Sequence, residues 1–149
     1  MIERRPVTNA ILAMLAAASG LPVGRGRAPT TTSRHYYVLY ALPLTVDGPP
    51  LADENEDITI TYQVTSISLP DPAKPGSAGS VEQVEWMADK ARAAFLQRDQ
   101  ATGEWTHRID VAGVDVMCRE LDTEPGGTND PADAIMSYVQ RFKVTLTPA

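Results

Sequence analysis

Apolar and polar residues alternate strictly over Ile58–Ile67, with Ile58, Ile60, Tyr62 and Val64 on one side and Thr59, Thr61, Gln63 and Thr65 on the other. A period of two puts successive side chains on opposite faces, so this run predicts a strand with one face on a core and one in water. The last run of the chain repeats the pattern, with Met136, Tyr138, Phe142, Val144 and Leu146 set against Ser137, Arg141, Lys143, Thr145 and Thr147. Tyr36–Leu42 is aromatic and branched, and apolar on both sides, which predicts a strand that is central or covered on both faces. A third run changes phase: Ile109 and Val111 are odd-numbered, Val114, Val116 and Cys118 even-numbered. One face holds both sets only if a residue is inserted, and Ala112-Gly113 is the place for a bulge or tight turn. Cys118 is then expected on the apolar face as a buried, inert thiol.

Two stretches carry the helical period instead. Over about 7–19, Ile11, Met14, Leu15 and Ala18 share one face, Pro6 suits a first turn and Gly20 a C-terminal stop. Arg4 and Arg5 ahead of the apolar run Ala10–Ala18, with small residues at its end, also outline a secretory leader over residues 1–18. Thr8 and Asn9 interrupt that outline and the apolar run is short, so the globular helix is the favoured reading. The run is too short to span a bilayer. Over about 80–100, Ser80 and Gln83 form a capping-box pattern, Glu82 and Glu85 fall in the first turns, and Val84, Met87, Ala88, Ala91, Phe95 and Leu96 make an apolar stripe. Such a helix is roughly 30 Å long, enough to cross a four-stranded sheet. The expected fold is a single α+β domain over 1–149: a four-stranded, mainly antiparallel sheet with helices packed on one face and long ordered loops.

Composition narrows the function. The chain has 149 residues and 43% hydrophobic content, enough for its own core without a metal or disulfide. A formal charge of -6 argues against tight nucleic-acid binding, and a single cysteine excludes an intrachain disulfide and fits a reducing compartment.

Candidate chemistry is sparse. His35 and His107 sit in no metal or triad spacing, and Gly24-Arg-Gly-Arg27 lacks the Lys-Ser/Thr of a phosphate loop. The acidic stretch Asp122–Asp133 has the composition of a calcium loop but not its ligand order, so it reads as a solvated loop. No catalytic, cofactor or metal residues are assigned, and an enzyme is not expected. Trp86 and Trp105 read equally as interface anchors or as packing residues. Arg25, Arg27 and Arg34 in one long loop point to ion pairs with a neighbouring subunit or partner. The loops Leu21–His35, Pro43–Glu56, Leu69–Gly79 and Leu121–Asp133 are long for a compact domain, which also points to assembly.

In order, the chain has an N-terminal helix, the strand Tyr36–Leu42, the Thr/Gln-rich strand Ile60–Ser68, the amphipathic helix Val81–Leu96 and a closing Tyr-x-x-x-Phe-x-Val strand at Tyr138–Val144. This layout resembles the tail terminator (tail completion) proteins of long-tailed bacteriophages. The resemblance covers most of the chain in pattern, Ile58–Leu96 carries most of it, and no short motif underwrites it. It implies a structural virion protein of the tail and neck, assembled in the host cytoplasm without membrane or cofactor. The implied partners are other copies in a homohexameric ring, the tail tube protein and the head-tail connector or stopper. Genomic DNA would pass through the ring without specific binding. The alternatives are another neck component such as a stopper, and a small exported binding domain with residues 1–18 as its leader.

Overall fold

A computed structural model describes residues 1–47, 56–127 and 132–149. The elements follow in the order α1 (Arg4–Ser19), β1 (Val23–Arg25), β2 (His35–Asp47), β3 (Asp57–Ser68), α2 (Val81–Leu96), β4 (Val114–Gly127) and β5 (Met136–Pro148). They build an α+β fold on one five-stranded sheet of order β1-β2-β3-β5-β4. All neighbours are antiparallel except β1 and β2, which run parallel. The expected four-stranded sheet therefore gains a mixed fifth strand. Three residues are too short to show a period, so β1 was hidden inside the loop expected over Leu21–His35.

The predicted alternation of β3 holds along its whole length: Ile58, Ile60, Tyr62 and Val64 are buried and the intervening residues are partly exposed. Through β3–β5 pairing, Tyr62 stands beside Phe142 and Ile60 beside Val144, so both strands turn the same apolar set inward. Both helices cover that face. Val7, Ile11 and Leu15 of α1 are fully enclosed in the core, and the buried Thr8 hydroxyl lies 3.0 Å from the Tyr62 hydroxyl. The Tyr37 hydroxyl donates to the Met87 carbonyl of α2 at 2.6 Å, and Phe95 stacks on Phe142 with ring centroids 4.2 Å apart. α1 begins earlier than expected, at Arg4, and ends where Gly20 takes a left-handed φ of 72°.

Several boundaries move for identifiable reasons. β2 does not stop at Leu42. It continues past Pro43 to Asp47, with one extra residue between Ala41 and Leu44 absorbing a proline that has no N–H for the ladder. Of the loop expected over Pro43–Glu56, residues 48–55 lie outside those described. α2 ends at Leu96 rather than near Gln100, because Asp99 starts a competing turn: its side chain accepts the N–H groups of Ala101 and Thr102. Ser80 accepts the Gln83 N–H as expected, but the Ser80 N–H goes to the Ser68 hydroxyl, so the reciprocal half of the capping box is replaced.

Two glycines allow close backbone crossings. A side chain at Gly24 would collide with the Arg27 carbonyl and Pro29, so the chain after β1 doubles back over the face opposite the helices. Val38 is the register partner of Gly24 there, and it and Tyr36 are buried on that face, which makes β2 covered on both sides as predicted. A side chain at Gly79 would meet the Ser68 carbonyl. The loop Leu69–Gly79 is fastened within the chain. Asp71 accepts from Ala73 and Ser77, and Leu69 donates to the Arg34 carbonyl.

Candidate functional site

β4 is where the sequence reading departs furthest from the structure. Val111 to Val114 form a tight turn with Gly113 at a φ of 73°, which is the predicted turn, but Ile109 and Val111 lie before the strand rather than in it. A further register shift falls between Val116 and Cys118. Val116 pairs with Leu146, Cys118 with Thr145 and Arg119 with Val144, so Met117 is the extra residue. The bulge inverts the phase. Cys118 is exposed, contrary to expectation, and Arg119 takes the inward position.

Arg119 is only 5% exposed. Its guanidinium donates to the His107 carbonyl at 2.7 Å and the Phe95 carbonyl at 3.4 Å, the latter near the negative end of α2. It also lies 4.8 Å from the centre of the Trp105 ring, and Arg98 lies 3.9 Å from the same ring. Burial, then the nearby Arg98 charge, push its pKa down to about 10, so the side chain stays charged at neutral pH. An open cavity of about 670 Å³ adjoins it, with Trp105, Arg108, Ile109, Asp110 and Asp115 among its walls. Arg119 thus pins the connection between α2 and β4, and Trp105 is half-buried as part of that fastening.

A second buried polar group was not anticipated. Gln140 shares the inward face of β5, is fully buried, and donates to the Ala88 carbonyl at 3.1 Å and to Glu124 at 2.7 Å. Arg92 of α2 grips both oxygens of Glu124 at 2.9 and 3.0 Å. Burial pushes the Glu124 pKa up, but Gln140 and Arg92 outweigh it and hold the carboxyl below its ordinary value. Tyr138 is shifted upward by burial first and then by the Glu124 charge. The even numbering of Gln140 within an apolar set was the available signal.

The remaining candidates lie apart from these groups. Arg25, on β1, donates to the Asn9 side chain at 2.7 Å; Arg34 lies 3.9 Å from Asp71; Arg27 is exposed and makes no ion pair or hydrogen bond with a described residue. Trp86 is 47% exposed on the outer side of α2, with the Lys90 ammonium 5.0 Å from its ring centre, so it is not a core residue. His35 is partly buried, and burial followed by the Arg34 charge lowers its pKa. Within Asp122–Asp133, residues up to Gly127 belong to β4 rather than a loop, and 128–131 lie outside the described residues. Among the described residues no cluster of three or more acidic, His or Cys side chains could hold a metal, and no helix is long and apolar enough to cross a membrane.

No protein-family model matches the chain, and no curated protein sequence matches it.

Proposed function

We propose that this chain is a structural virion protein: a subunit of a homohexameric ring that caps a phage tail tube, ends its elongation and offers the surface that docks to the head. The observation that carries the reading is the loop from β1 to β2. It doubles back over one face of the sheet and leaves Arg27 exposed with no ion pair or hydrogen bond to a described residue, while Arg34 is exposed beside Asp71. The order helix, hairpin, helix, hairpin and the half-exposed Trp86 support it. In a cyclic assembly each copy offers two different complementary patches closed by rotation. Arg25, Arg27 and Arg34 supply one of them, with Trp86 available as an apolar anchor. DNA passes through such a ring, and a net charge of -6 suits passage without tight binding.

The test is solution mass by light scattering, followed by negative-stain imaging with and without purified tail tubes. Rings, or caps at one end of each tube, are expected. A chain that ignores tail tubes but binds portal or adaptor assemblies is instead a neck component of the stopper kind.

A further inference from the structure

The ring reading makes no use of the cavity beside Arg119, where a hydrogen-bonding group is left unmet. Both hydrogen bonds of the guanidinium leave from Nη1, to the His107 and Phe95 carbonyls. Nε is shut off from solvent and has no partner. No carboxylate of a described residue lies within ion-pair distance of the group. Nε and Nη2 form the side on which a guanidinium takes a carboxylate through two parallel bonds, and that side makes no bond to a described residue. A buried charge without such a partner is destabilising. Arg98 adds to this, because its guanidinium lies on the same Trp105 ring and its charge acts against that of Arg119.

The space next to this side chain suits an organic ligand. At about 670 Å³ it falls within the range of small-molecule sites. Trp105, Ile109, Val111, Val114 and Val116 are among its walls and offer apolar contact. Arg108 and three acids, Glu104, Asp110 and Asp115, line it too, but all four are exposed, whereas Arg119 is 5% exposed. The unpartnered cation therefore sits deep and the acids lie towards solvent. Acids in that position oppose a multiply charged anion more than a singly charged one.

We infer that this cavity binds a small organic acid, its single carboxylate on the Nε–Nη2 side of Arg119 and its apolar body along Trp105 and the valines. The ligand supplies what the fold omits, acceptors for the unpartnered N–H groups of a buried guanidinium. Inorganic phosphate fits less well, because it has no apolar body and brings more charge towards the acids. The site stands apart from the proposed ring contacts and does not depend on them.

The experiment uses the full-length chain with Trp86→Phe, so that Trp105 alone reports by its emission. It is titrated at constant ionic strength with 3-phenylpropionate, with the uncharged 3-phenylpropionamide and with inorganic phosphate. The carboxylate should give a saturable change within the millimolar range, and the amide and phosphate should each bind roughly tenfold or more weakly. Adding Arg119→Lys keeps the charge but removes the fork, and should weaken 3-phenylpropionate by a similar factor in a variant whose fold is confirmed by thermal melting. The comparison of acid with amide runs on the chain that retains Arg119, so it decides the matter even where the lysine variant does not fold. No saturation by 3-phenylpropionate throughout the millimolar range overturns the site. Equal binding of the amide, equal binding of phosphate, or undiminished binding by a folded Arg119→Lys variant overturns it as well.

Discussion

Glu124 and Gln140 meet at 2.7 Å beneath α2, and this contact joins three elements that the chain order keeps far apart. Gln140 is buried on β5 and also holds the Ala88 carbonyl of α2; Glu124 comes from the irregular half of β4 and is gripped from α2 by Arg92. With Arg119 and the Phe95 carbonyl, the carboxylate is therefore one of two fastenings that tie the edge strand to α2.

Replacing it should show in acid. The Glu124 pKa is depressed in the fold, so its contribution is fully present above the unfolded carboxylate value and disappears as pH falls through the lower, folded one. Glu124→Gln keeps an acceptor for Gln140 but loses the charge, and with Arg92 half exposed it should cost about 1 kcal/mol at pH 7. Urea unfolding of the two proteins should give curves that converge only at a pH below the depressed, folded value, itself beneath the ordinary glutamate range. An equal gap at pH 7 and at that pH would show that the charge contributes nothing.

Arg119 invites the opposite experiment, because its charge is buried without a carboxylate in contact. Arg119→Met conserves much of the apolar volume yet leaves the Phe95 and His107 carbonyls without their donor. Destabilisation of about 2 kcal/mol is expected, the usual cost of stranding buried polar groups. With Trp86 first replaced by Phe, Trp105 becomes the only tryptophan, and its emission should shift to the red as the connection loosens. Unchanged emission and stability would mean that the segment is held by its own turns alone.

The sequence was legible where one rule acted alone. β3 follows the period of two without interruption, and α2 announces itself through Ser80 and its apolar stripe, so both could be placed before any coordinates. Legibility failed where one residue reset a phase or a competing turn intervened. Met117 has no local feature that marks it as a bulge, yet it decides that Cys118 faces out and Arg119 faces in. Pro43 looked like a strand end because proline lacks an N–H, and only the pairing with β3 shows that a bulge absorbs it. β1 exists only through its partner, since Val23–Arg25 has no periodicity of its own. The candidate surface was partly visible: the arginines of the first loop stood out, whereas the contact between Arg119 and Trp105 emerges only once the bulge in β4 is known.

Two aromatic residues of α2 should behave in contrasting ways. Phe95 is fully buried against Phe142, and Phe95→Ala should cost about 3–5 kcal/mol through lost contacts and the cavity left behind. Trp86 is half exposed, and Trp86→Ala should change stability by less than about 0.5 kcal/mol. Denaturant melts of the two variants decide this. A large loss for Trp86→Ala would place it in the packing of the monomer and remove it as an interface anchor.

The bulge at Met117 gives the sharpest check on the edge strand. In an unbroken strand Val116 and Cys118 would share the inward face, and the thiol would react only on unfolding. With Met117 inserted, the partner of Cys118 becomes Thr145 on the outer side, and Met117 itself is 57% exposed. The native protein should therefore yield one thiol per chain to a disulfide reagent at nearly the rate of the urea-unfolded protein, since reactivity follows access to the thiolate. Deleting Met117 should preserve this. Removing the extra residue leaves Cys118 opposite Thr145 and Arg119 opposite Val144, so the shortened strand keeps the same faces in a regular ladder. A thiol that reacts only after unfolding would contradict the bulge, and with it the inward placement of Arg119.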